Sequence, residues 1–206
     1  MFLKFLINIT LCFFILSCSS NLNNENNMTQ NINKTSPQSA YIKAMQKFDN
    51  KNIAESIIIF ENIIKIYPLS NESIQSQIML GFIDYSRLDY ESAIIKFTKL
   101  IKKYPSLKNA DYVYYMKALC YYEQISHESL DGKYNYLALE NLNQVINRYP
   151  KSEYAKDSYQ KIILVNSNIA AKHMTIGRFY QKEEKYTAAL NRYRLVIENF
   201  SETKFT

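Results

Sequence analysis

Four stretches of this chain can be laid over one another without a gap, and that internal repeat limits the possible folds more than any other feature. They are Ile53 to Pro68 (IAESIIIFENIIKIYP), Tyr90 to Pro105 (YESAIIKFTKLIKKYP), Asn135 to Pro150 (NYLALENLNQVINRYP) and Tyr186 to Ser201 (YTAALNRYRLVIENFS). Eight residues before the closing proline stands a large apolar side chain: Phe60, Phe97, Leu142 and, counted to Ser201, Tyr193. Four residues earlier the side chain is small: Ser56, Ala93, Ala138 and Ala189. That i, i+4 pair shares one helix face, where the small member lets a neighbouring helix approach. The Tyr-Pro that closes three of the stretches ends a helix, because proline disfavours helical geometry in the residue before it. Upstream, Ala44, Gly81 and Gly177 each lie sixteen residues before Phe60, Phe97 and Tyr193. A glycine inside a helix costs about 1 kcal/mol relative to alanine, so a recurrent one implies close helix contact. The third repeat enters register if about eight residues are inserted around Ser126–Lys133; Ala118 then takes the small position and Tyr121 the aromatic one.

A small residue, an aromatic soon after, Ala-x3-Phe and a closing proline resemble tetratricopeptide repeats, without their usual Trp and with a period longer than ~34 residues. The resemblance implies an all-α fold of helical hairpins over 38–206, about four TPR-like repeats at 38–68, 69–105, 106–150 and 151–201. The long last interval predicts one extended helix from about Ser152 to Lys182. Composition agrees. With only 3 Gly and 4 Pro, the turn chemistry of an all-β sandwich and the glycine loops that cradle phosphates are both missing.

The N-terminus reads MFLKFLINITLCFFILSCSS. Its apolar run, Phe5 to Leu16, spans about 18 Å as a helix, too short for a ~30 Å hydrocarbon core. It reads as a secretory signal, 1–17. Ile15-Leu16-Ser17-Cys18 resembles a bacterial lipobox, which implies cleavage after Ser17 and a lipid on Cys18; Ser19 implies outer-membrane sorting. Residues 18–37 are Asn/Ser/Thr-rich and read as a flexible tether with a mean reach of about 25 Å. If Cys12 leaves with the signal and Cys18 is lipidated, Cys120 is the one free thiol of the domain, a small apolar core residue in an aromatic helix.

The formal charge is +6, but the charges are interleaved, as in Lys182-Glu183-Glu184-Lys185. That pattern indicates a solvated helical surface rather than a nucleic-acid site, and leaves acidic partner surfaces or anionic lipid open. The two histidines, His127 and His173, lack a flanking ligand pattern, and no nucleophile, zinc or paired-carboxylate motif occurs. The expectation is a binding protein without cofactor or metal, not an enzyme. By repeat register the first helices present Tyr41, Met45 and Phe48, then Ile78, Phe82 and Tyr85, then Tyr112, Tyr115, Leu119, Tyr122 and Glu123. In the fourth repeat the positions become Met174, Arg178, Gln181 and Lys182. An aromatic trough with polar tips suits an extended peptide carrying aromatic and aliphatic side chains. Burial of half of these residues between helices is the competing reading.

Three longer stretches resemble one family: KYPSLKNADYVYYMKALCYYEQI (Lys103–Ile125), NRYPKSEYAKDS (Asn147–Ser158) and KHMTIGRFYQKEEKYTAALNRYRLVIENF (Lys172–Phe200). They are similar to the BamD lipoproteins of the β-barrel assembly machinery; Lys117-Ala118 stands where Arg-Gly is common. The resemblance implies an outer-membrane assembly factor on the periplasmic face. Its N-terminal repeats would meet the aromatic β-signal of unfolded outer membrane proteins. Its later repeats would dock on the last POTRA domain of BamA, beside other Bam lipoproteins, with Arg178 and Arg192 at that interface. The family also continues beyond the fourth repeat with another helical pair. A general periplasmic scaffold that recruits cell-wall enzymes is the alternative.

Overall fold

A computed structural model describes residues 35–125 and 132–205. The signal 1–17, the lipidation position Cys18, the tether as far as residue 34 and the insertion at 126–131 lie outside the described residues. Among the described residues the fold is all-helical: α1 Pro37–Asp49, α2 Ile53–Ile66, α3 Asn71–Ser86, α4 Tyr90–Lys103, α5 Ala110–Tyr122, α6 Lys133–Arg148, α7 Glu153–Lys182 and α8 Tyr186–Asn199. The extended helix expected in the fourth repeat is α7, 30 residues long and capped by Ser152. None of these helices is long and apolar enough to cross a membrane.

The helices begin and end by the same local rules in successive repeats. Ser36, Ser70, Asp89 and Ser152 each accept a backbone N–H from the first turn of α1, α3, α4 and α7, satisfying a donor the helix leaves open. The second helix of each repeat stops at an aromatic residue, Tyr67, Tyr104, Tyr149 or Phe200, whose N–H still reaches back one turn at 2.9–3.0 Å. Three inner turns share an unforeseen feature. Lys51, Leu88 and Glu184 adopt left-handed backbone, with φ of 63°, 63° and 58°. The amide that follows each one bonds back five residues: Asn52 to Lys47, Asp89 to Asp84 and Lys185 to Tyr180. This is the Schellman closure, built here without the glycine that usually relieves its strain.

Contacts divide the chain into two compact units, separated between Leu80 and Gly81 inside α3. In the first unit α1 packs on α2. Ala40 and Ala44 of α1 and Ser56, Ile59, Phe60 and Ile63 of α2 are all buried. In the second unit, consecutive helices from α4 to α8 pack on one another, and α5 also touches α7. Ala118, Ala138, Leu142, Val145, Val165 and Ile169 form a shared core under Tyr114, Tyr115, Tyr121 and Tyr122. Ala118 thus takes the small position expected of the third repeat, with Tyr121 at the edge of the same cluster. Full burial of a Phe or Leu side chain stabilises by about 1.5–3 kcal/mol. Cys120 is buried and free, and burial pushes its thiol up to about 12.

The recurrent small residues explain how closely the helices approach. A Cβ built on Gly81 would lie 2.7 Å from the Cε1 of Phe97, and one on Gly177 would overlap the Cε1 of Tyr193. Phe97 is fully buried and has no room to yield. Tyr193 is half-buried, and its hydroxyl donates a 2.9 Å hydrogen bond to Gln181 at the exposed edge. Gly81→Ala is therefore expected to lower unfolding free energy by about 1–3 kcal/mol through overpacking, despite alanine's better helix propensity. Gly177→Ala should cost less. Urea unfolding of the two variants decides the point, and a stabilised Gly81→Ala would refute the close contact.

Candidate functional site

The residues that sequence register assigned to the trough divide between the two units. Tyr41, Met45 and Phe48 lie on α1 in the first, each half-buried. The Tyr41 ring sits 5.7 Å from that of Phe60, and burial raises its phenol above the ordinary value. Ile42, the neighbour of Tyr41 in sequence, is exposed.

In the second unit Phe82, Tyr85, Tyr112, Tyr115 and Tyr122 are half-buried as well. Ile78 and Leu119 are not available to a ligand; both are buried, at 5% and 8% exposure. Register alone placed them in the trough, but the face of a first helix is wider than its exposed stripe. Tyr85 packs 5.7 Å from Tyr90, with the Glu123 carboxylate close enough to act on its phenol. Burial, reinforced by that carboxylate, pushes its phenol up to about 12.

The tyrosines of α5 meet a set on α7 that sequence reading missed. Tyr154 stacks on Tyr115 at 5.0 Å and tilts against Tyr112 at 5.6 Å. The Tyr115 hydroxyl donates to the Asp157 carboxylate. Lys161 pairs with Asp157 at 3.2 Å and lies 5.0 Å over the Tyr122 ring. Tyr154, Asp157 and Lys161 recur at i, i+3 and i+7, one face of the opening turns of α7. The usable signal was this spacing. It was overlooked because register counted back from Tyr193 enters α7 only near its end. Burial and Tyr154 push the Tyr112 phenol up to about 12; burial, then the hydrogen bond to Asp157, raise Tyr115 further. The result is a wall of half-buried rings edged by Glu123, Asp157 and Lys161.

The two arginines are engaged separately. Arg178 is exposed, its Nη2 3.4 Å from Thr175 Oγ1 on the same helix. Arg192 on α8 reaches α7, its Nη1 3.3 Å from His173 Nδ1, and the His173 ring stacks on Phe200 at 6.3 Å. Burial, then Arg192 and Lys172, hold His173 below its ordinary pKa. Lys117 is half-buried; burial lowers its pKa while Glu140 opposes the shift. Among the described residues no group of three or more His, Cys, Asp or Glu could hold a metal ion.

Repeated helical hairpins define a TPR-like class of fold. Residues 33–206 match the YfiO family, described as outer membrane lipoprotein, and the chain belongs to that family. It is 36% identical over 166 residues to the outer membrane protein assembly factor BamD of Caulobacter vibrioides, covering 81% of this chain and 54% of that protein. The Rickettsia prowazekii protein of the same name is 33% identical over 163 residues, covering 79% of this chain and 65% of the relative. That of Neisseria meningitidis is 21% identical over 214 residues, covering 98% and 79%. The chain thus spans 54% and 65% of the length of the first two relatives.

Two expectations follow for the tyrosine wall. Tyr115→Phe removes a hydrogen bond to a carboxylate and should cost about 1–2 kcal/mol in urea unfolding. Tyr85 and Tyr112 are raised from 10.0 to about 12 in the folded state, so folding favours their neutral form. Their contribution to stability is complete below pH 10 and is lost as pH rises through the folded values. An alkaline tyrosinate titration should show a fraction of the tyrosines ionising only at high pH, as the protein unfolds; the absence of any such late fraction would contradict this.

Proposed function

We propose that this protein is an outer-membrane lipoprotein of the β-barrel assembly machinery that helps fold and insert outer membrane β-barrel proteins. The observation that carries the reading is the family match over 33–206, joined by relatives named as outer membrane protein assembly factors. In this reading Cys18 carries the lipid anchor, and the domain hangs by its tether on the periplasmic face.

The chemistry of the aromatic surfaces suits the clients. Tyr41, Met45 and Phe48 in one unit, and Phe82, Tyr85, Tyr112, Tyr115 and Tyr122 in the other, are half-buried, and Tyr41, Tyr85, Tyr112 and Tyr115 are already ordered by ring contacts. An aromatic strand-forming segment can add area against such rings at little entropic cost, while phenol and carboxylate edges meet its backbone. The last hairpin is the docking side for the final POTRA domain of BamA, next to other Bam lipoproteins. There Arg192, and Arg178 at the end of α7, offer guanidinium forks to acidic side chains.

Co-purification from detergent-solubilised membranes tests the reading. BamA should be recovered with the protein, and recovery of cell-wall enzymes without BamA would favour the general scaffold instead. Arg192→Glu should weaken BamA recovery by about 2–5 kcal/mol, with unchanged recovery removing Arg192 from the interface. Photo-crosslinkers at Tyr85 or Tyr115 should capture the C-termini of unfolded barrel proteins. Cys18→Ala should release the protein into the soluble periplasmic fraction.

A further inference from the structure

The tyrosine wall and the last hairpin leave one feature of the second unit unused. A cavity of about 410 Å³ lies where the loop before α5 meets the loop between α6 and α7, lined by Lys108, Asp111, Arg148, Tyr149, Pro150, Lys151 and Ser152. Three of these residues are cationic and one is acidic. The acid is already committed: Asp111 Oδ1 accepts the Tyr112 N–H at 2.9 Å, and Oδ2 accepts the Ser152 hydroxyl at 2.7 Å. The Ser152 bond ties the start of α5 to the turn before α7, and the Tyr112 bond keeps the same carboxylate turned onto its own helix. The cations are not committed in this way. None of Lys108, Arg148 and Lys151 forms an ion pair among the described residues.

Arg148 is nevertheless held in place. Its guanidinium carbon lies 5.2 Å from the Tyr114 ring, which itself packs 5.6 Å from Tyr149. Stacking on a ring face orients the guanidinium without using its N–H donors. Helix α5 starts beside Lys108, and its N-cap residue Asn109 makes no side-chain hydrogen bond to it. The positive end of that helix adds to the field of the three cations.

We propose that this cavity binds the phosphate of an anionic phospholipid headgroup. Two ammonium groups and one oriented guanidinium surplus to a single satisfied carboxylate call for a ligand with concentrated negative charge. A volume of this size is at the scale of a small-molecule site. Tyr149 also lines the cavity, and an amphipathic ring of this kind settles readily at the headgroup level of a bilayer. The inference rests on the lipid anchor in the reading above, because Cys18 and the tether keep the domain within a few nanometres of a membrane surface. Basic pockets so placed take lipid headgroups in preference to dilute soluble anions.

The test uses the full chain, purified with its own anchor and reconstituted in phosphatidylcholine vesicles with or without phosphatidylglycerol. A photo-crosslinking p-benzoylphenylalanine replaces the exposed Asn109. Capture of phosphatidylglycerol should be strong in the mixed vesicles. It should fall by at least about tenfold in the Lys108→Glu/Lys151→Glu variant, and further when Arg148→Glu is added. Circular dichroism and thermal unfolding should match the parent, since all three residues are exposed. Capture that inorganic phosphate competes away supports a general phosphate site; capture that resists it supports the bilayer headgroup as the source. Equal capture in phosphatidylcholine alone, capture indifferent to charge reversal, or capture of an acidic protein in intact cells would each overturn the proposal. Failure of the anchor itself is separately visible, because the protein would then leave the vesicles altogether.

Discussion

The contact between a residue with little or no side chain on the first helix of a hairpin and a ring on the second sets the geometry of everything built above it. At Gly81 and Phe97 the approach leaves no space for a methyl group. At that distance the ring fills the gap between two backbones, and neighbouring side chains are brought within reach of one another. Ala44 and Phe60, both fully buried, occupy the same repeat positions in the first unit. Helices packed so closely turn their wider residues outward. The half-buried tyrosines of α5 therefore stand between core and solvent instead of in either one.

This intermediate position lets the tyrosines pack between helices and still leave part of each ring at the surface. Tyr112 and Tyr115 spend one ring face on Tyr154, and Tyr115 spends its hydroxyl on Asp157. What remains is a rigid surface, with its rotamers fixed by packing before any partner arrives. Rigidity of this kind reduces the entropy lost on binding. It also makes the surface fragile. Substitutions in the wall will disturb the packing of α5 on α7, so stability must be measured beside any loss of the binding proposed for it.

Much of the fold was legible from residue spacing. The four small-to-large pairs marked the second helices, and the distance to the last of them required a helix as long as α7. The terminal Tyr-Pro pairs marked the stops. Other features were hidden for physical reasons. Lys51, Leu88 and Glu184 carry left-handed backbone that sequence rules assign to Gly or Asn, and only the surrounding Schellman bonds hold it in place. Ile78 and Leu119 share helix positions with trough residues, yet both are buried. Tyr154, Asp157 and Lys161 escaped notice because α7 is long enough to present two unrelated surfaces, and repeat register pointed to the far one. Cys120, in contrast, sits where an aromatic helix would be expected to put a small apolar side chain.

The length of α7 has a mechanical consequence. Asp157 near its start helps order the tyrosine wall, while His173 near its end holds Arg192. The two are separated by about 24 Å of continuous helix at 1.5 Å per residue. Their distance is therefore fixed by backbone hydrogen bonds and not by the packing of either surface. The helix acts as a strut that holds the seat of Tyr115 and the seat of Arg192 at a set separation, with no loop between them.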